Sequence, residues 1–106
     1  MLFGLFGKMT ALEGKREALT ANLLRAAELM KQVPGCLLYV VSTSNAEPDA
    51  VHVMEIWRDE KAHGASLSIP GVRDLIMETM PLLAGEPEGT RFTPRGGKGL
   101  DALGAA

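Results

Sequence analysis

The stretch Val51-His-Val-Met-Glu-Ile-Trp57-Arg-Asp-Glu-Lys-Ala-His63 decides the fold, because it reads as a strand running straight into the start of a helix. Side chains alternate along a strand, so Val51, Val53, Glu55 and Trp57 face one way and His52, Met54 and Ile56 the other. Both faces are largely apolar, which predicts cover on both sides of the sheet. Asp59 is placed to cap the following helix by accepting from its first-turn amides, and His63 then falls about one turn in. The stretch also holds both histidines of the chain and its only tryptophan.

Upstream, Leu2 to Leu12 alternates as a strand, with Phe3, Leu5, Gly7 and Met9 on one side. Its glycines predict a bulge or a close approach to the backbone. From Lys15 to Gln32 the period changes: Leu19, Leu23, Ala26 and Met30 form the stripe of an amphipathic helix, with Asn22 at its edge. Val33-Pro-Gly35 stops that helix, Cys36-Leu-Leu-Tyr-Val-Val-Ser42 is a second strand, and a polar turn from Ser44 to Asp49 leads back to the opening stretch. Downstream, Leu67 to Pro70 ends the short helix begun at Asp59. Val72, Leu75, Ile76, Thr79, Met80 and Leu83 mark a further helix that Pro81 kinks or shortens. Thr90 to Pro94 is a last short strand, followed by a loose tail.

This order, βαββαβ, predicts an α+β ferredoxin-like fold: an antiparallel sheet carrying its helices on one face. It forms one domain over residues 2–95, with residues 96–106 as a C-terminal tail. Four strands about 4.8 Å apart leave roughly 300 Å² of flat sheet on the other face. Populated by apolar side chains, such a face marks an interface, so the chain is expected to be a homodimer packed sheet against sheet.

Composition narrows the partners. The 106 residues are 46% apolar and 23% charged with a formal charge of -2, and the 11 Lys and Arg are scattered. A nucleic-acid or anionic-membrane surface needs concentrated basic residues, so neither partner is expected. Cys36 is the only cysteine, which removes an internal disulfide and any multi-thiolate metal site. The apolar start is too short for a signal or a membrane span, and a cytoplasmic protein is expected. There is no G-x-S-x-G, no P-loop and no dinucleotide fingerprint. His52 and Glu55 face opposite sides of their strand and cannot chelate together, so no metal site is expected.

Four segments carry a resemblance: Pro34-Gly-Cys-Leu-Leu-Tyr-Val-Val41, Val53-Met-Glu-Ile-Trp-Arg-Asp-Glu-Lys-Ala-His63, Pro70-Gly-Val-Arg-Asp-Leu-Ile76 and Pro81-Leu-Leu-Ala-Gly85. Together they resemble the antibiotic biosynthesis monooxygenase domain, a branch of the dimeric α+β barrel proteins, with Glu55 to His63 the most specific part. The resemblance implies a homodimeric barrel with a pocket in each subunit between sheet and helices. Some relatives oxidise phenols or quinols with molecular oxygen, without metal or flavin; others degrade haem. Many members carry a second histidine or tryptophan where this chain reads Gly64-Ala-Ser66-Leu67, and the Asn, Trp and His constellation of the haem-degrading relatives is not matched. Haem degradation is therefore disfavoured.

The expectation is a cofactor-free monooxygenase taking a small phenolic or quinol-type aromatic and O2; the alternative is a non-catalytic ligand-binding or structural dimer. Oxygenation without a cofactor needs the substrate anion, held in an apolar pocket away from water. His63 is the candidate base, since a histidine takes a proton near neutral pH. Trp57 is the candidate to stack on the ring while offering its indole N–H. Tyr39 and His52 are candidate donors to a substrate oxygen, Asn22 could hold another, and Met30, Met54 and Met80 suggest an adaptable lining. Glu55, if buried, must be paired or neutral; a salt bridge with Arg91 or Lys8 is the simplest expectation, and a role as base the other.

Overall fold

The computed structural model describes residues 1–103; the last three positions of the expected tail lie outside the described residues. Four strands, β1 (Phe3–Thr10), β2 (Cys36–Ser42), β3 (Ala50–Trp57) and β4 (Glu88–Phe92), form one sheet in the order β2-β3-β1-β4, each pair antiparallel. Helices α1 (Arg16–Met30), α2 (Glu60–Ser66) and α3 (Pro70–Thr79) complete the expected α+β ferredoxin-like arrangement. No helix among the described residues is long and apolar enough to cross a membrane.

The stripe on α1 packs as its spacing requires. Leu19 and Leu23 meet Val51 and Val53 of β3, while Met30 joins Phe3, Trp57 and Val72 in a second cluster. Each large apolar side chain buried in this way contributes about 1.5–3 kcal/mol. Asp59 caps α2, its Oδ1 accepting from the Ala62 N–H at 2.7 Å. Pro70 opens α3 at a position where its missing N–H costs nothing. The helix expected to reach Leu83 stops at Thr79 and tightens into a 3₁₀ turn, Met80–Leu82, because Pro81 has no N–H to continue the ladder.

Two details position the site. In β2, Cys36 pairs with Trp57 and Leu38 with Ile56, so one extra residue is inserted as a bulge. The insertion keeps Cys36 on the helix side and still sets Tyr39 directly opposite Glu55. On the other face, the Phe92 ring lies over Gly4, where a Cβ would come within 2.2 Å of the ring. This is the close approach that the glycines of β1 suggested. The last strand begins at Glu88 rather than Thr90, pairing Lys8 with Glu88 and Gly7 with Gly89.

The helix-free face carries Val40, Met54 and Phe6 side by side in register. Phe6 stacks on Phe92 with ring centroids 4.4 Å apart, yet remains 47% exposed, and Val40 is 41% exposed.

Candidate active site

A cavity of about 280 Å³ opens between the sheet and the helices. Its floor is the row Leu5, Tyr39 and Glu55; α1 contributes Asn22 and Leu23, α2 contributes His63, and α3 contributes Val72 and Thr79. Leu67, Ile76 and Met80, all exposed, form an apolar rim. Among the described residues no lysine or arginine lines it.

Glu55 is the carboxylate at the bottom of this space. Its Oε1 accepts from Trp57 Nε1–H at 2.9 Å and lies 3.9 Å from His63 Nε2. Burial pushes the Glu55 carboxyl above the usual carboxylate range, partly offset by the Trp57 hydrogen bond. Burial, reinforced by the Arg91 charge and opposed by Glu60, holds the His63 imidazole below its ordinary value. Each group alone thus resists its charged form, but an imidazolium beside a carboxylate carries no net charge. Proton uptake by the pair therefore relieves the penalty on the lone carboxylate. The imidazole is packed against Phe3 and meets the edge of Trp57, each at 5.3 Å between centroids, which fixes its position. Burial, together with the Glu55 carboxylate, pushes the Tyr39 hydroxyl up, so it stays a donor throughout the neutral range.

The expected ion pairs of Glu55 do not form. Lys8 projects from the opposite face of β1 and binds Glu47, while Arg91 lies beyond Leu5 and binds Glu60 of α2. Trp57 is fully buried behind the cavity and reaches it through Glu55, where a stacking role had been expected. His52 and Met54 sit on the helix-free face, as strand alternation requires, and are not part of this cavity; His52 Nε2 lies 3.5 Å from Glu47 instead. Asn22 lines the cavity but gives its amide to Thr79 Oγ1 at 3.3 Å, and Thr79 in turn donates to the Leu75 carbonyl. Of the methionines proposed as lining, Met30 and Met80 are in place. Cys36 is pushed up to about 11, chiefly by burial, and behaves as a packing residue. Among the described residues no three His, Cys, Asp or Glu side chains gather as a metal site.

The sequence profile of the antibiotic biosynthesis monooxygenases matches residues 3–76. The chain belongs to that family. A crystal structure from Chloroflexus aurantiacus J-10-fl, of a protein assigned to the same family, is 42% identical, with a TM-score of 0.84 over 93% of this chain and 98% of that one. A second member, from Deinococcus radiodurans, is 26% identical with a TM-score of 0.75, covering 92% of this chain and 94% of its own. Rv0793 from Mycobacterium tuberculosis, 17% identical, shares the fold with a TM-score of 0.82 over 92% of this chain and 99% of that one. No curated protein matches the chain.

Proposed function

We propose that the protein is a cofactor-independent monooxygenase that oxidises a phenolic or quinol-type aromatic with molecular oxygen. The observation that carries this reading is the His63–Glu55 pair, 3.9 Å apart at the base of a largely apolar cavity. His63 takes the phenolic proton, and Glu55 stabilises the imidazolium that forms. The Tyr39 hydroxyl donates to the substrate oxygen, and Asn22 lies across the cavity where it can hold a second. The electron-rich anion then transfers an electron to O2, a C–O bond forms at the ring, and the hydroperoxide loses water. One oxygen atom enters the product quinone and the other leaves as water, so phenol plus O2 balances quinone plus H2O.

The working unit of this reading is a cytoplasmic homodimer in which the exposed Phe6 and Val40 of two sheets cover each other. The test is oxygen uptake by metal-stripped protein across a panel of hydroquinones and polyphenols, beside His63→Gln. Catalysed uptake that falls about 10²-fold or more in the variant supports the reading. Saturable binding of the same compounds with no catalysed uptake would leave a ligand-binding dimer.

A further inference from the structure

We propose that the same cavity catalyses an oxygen-independent proton shift at carbon, removing and returning the α-proton of an uncharged, apolar aromatic ketone. The inference rests on the reading of His63 as a base but not on any chemistry of O2.

Three features of the site point to it. First, an imidazole and a carboxylate 3.9 Å apart can take a proton and keep it in place. The imidazolium is held beside Glu55 with 19% of the His63 side chain still exposed, so its proton either goes back to the enolate or is replaced from solvent before the carbon is reprotonated. A protonated base held beside the enolate is what reprotonation of carbon requires. Second, Tyr39 lies directly opposite Glu55 in the register and lines the same cavity, so a protonated phenol is available where an enolate oxygen would develop. Third, the lining has no lysine or arginine and its rim is Leu67, Ile76 and Met80, which selects an uncharged substrate with hydrocarbon bulk. A carboxylated or phosphorylated ketone would meet Glu55 with no lysine or arginine in the lining to bind it, the Arg91 guanidinium being engaged by Glu60.

The step balances without any other reactant. The α C–H bond breaks, its electron pair moves into the enolate, and the proton passes to His63. It returns from His63 to the same carbon, or to the far end of a conjugated enolate, which moves a double bond. Nothing is oxidised or reduced. Glu55 acts through His63 as a positioning residue. The charged groups facing the pair are Glu60 on α2 and Arg91 on β4, and Tyr39 on β2 completes the titratable set with Cys36.

The experiment is hydrogen–deuterium exchange of 2-tetralone followed by proton NMR in anaerobic D2O buffer, with the dimeric or monomeric protein as it is purified. Saturable exchange is expected, at least about a hundredfold slower in His63→Gln. In Glu55→Gln the turnover should fall with KM unchanged. Tetralin, which keeps the rings and lacks the carbonyl, should inhibit competitively in the unmodified protein, a readout independent of how any variant folds. Exchange no faster than that given by free imidazole at the same concentration, or unmoved by tetralin, overturns the proposal. Anaerobic exchange without oxygen uptake from the quinol panel would sink the oxygenase reading and leave this one standing; the reverse pattern would do the opposite.

Discussion

The indole N–H of Trp57 donates to Glu55 Oε1 at 2.9 Å, although the two residues lie on the same strand with only Ile56 between them. Alternation puts both on the helix face, and a large ring at one position bends back over the carboxylate at the other. The tryptophan thus holds the carboxylate that in turn faces His63.

Removing that donor tests its part in stability. Trp57→Phe keeps most of the apolar volume but leaves a buried carboxylate oxygen without its partner, at a cost of about 1–3 kcal/mol. Chemical denaturation should show the loss, and it should shrink at a pH low enough to protonate Glu55. An equal loss at every pH would mean that lost packing, not the hydrogen bond, explains it.

Glu55→Gln keeps an acceptor for Trp57 and removes the charge. The Glu55 carboxyl is raised from 4.5 by burial, so the folded state binds its proton more tightly than the unfolded chain. The resulting penalty is absent below about pH 4.5 and accumulates as pH rises from there through the folded value. The gain in Tm of Glu55→Gln over the unmodified protein should therefore be larger at pH 7 than at pH 4. A gain independent of pH would contradict burial as the cause.

Activity should carry the opposite signature of the pair. The working form has His63 neutral, so kcat/KM falls as the imidazole takes a proton in the acid range. At 3.9 Å the Glu55 carboxylate favours the imidazolium by charge attraction, while the Arg91 and Glu60 charges near His63 are unchanged in Glu55→Gln. Without Glu55 the imidazole is harder to protonate, and the acid limb of the pH profile of Glu55→Gln should move to lower pH while the plateau drops. A limb that stays put would show that the two residues do not titrate together.

The helix-free face offers a separate check. Phe6→Glu places a charge on an apolar surface directly opposite Met54 in the register. Light scattering should find the unmodified protein dimeric and the variant monomeric at the same concentration. A variant that remains dimeric would place the interface elsewhere.

Much of this architecture was legible in the sequence for physical reasons. The stripe Leu19, Leu23, Met30 and the Asp59 cap follow from helical spacing and free amides, and the structure holds both. Alternation along β3 separated His52 and Met54 from Glu55 and Trp57, a signal that already set them on the far side of the sheet from the cavity. What could not be read was the bulge before Leu38, since nothing in Cys36-Leu-Leu-Tyr marks an inserted residue, and it alone sets Tyr39 opposite Glu55. The partners of Glu55 were also hidden. Lys8 and Arg91 each had a nearer, more exposed carboxylate to bind, whereas the contacts with Trp57 and His63 depend on how β3 turns into α2.

The most direct test of the account is the ionisation state of a bound phenol. A phenol too electron-poor to be oxidised, such as a cyanophenol, is added to the protein anaerobically at a pH below its own pKa, and its ultraviolet difference spectrum is recorded. The account predicts the red-shifted phenolate band on binding to the unmodified protein and its loss in His63→Gln, with the neutral phenol still bound. A phenol that binds in the cavity and shows no phenolate band in either protein would contradict His63 and Glu55 as the proton-accepting pair.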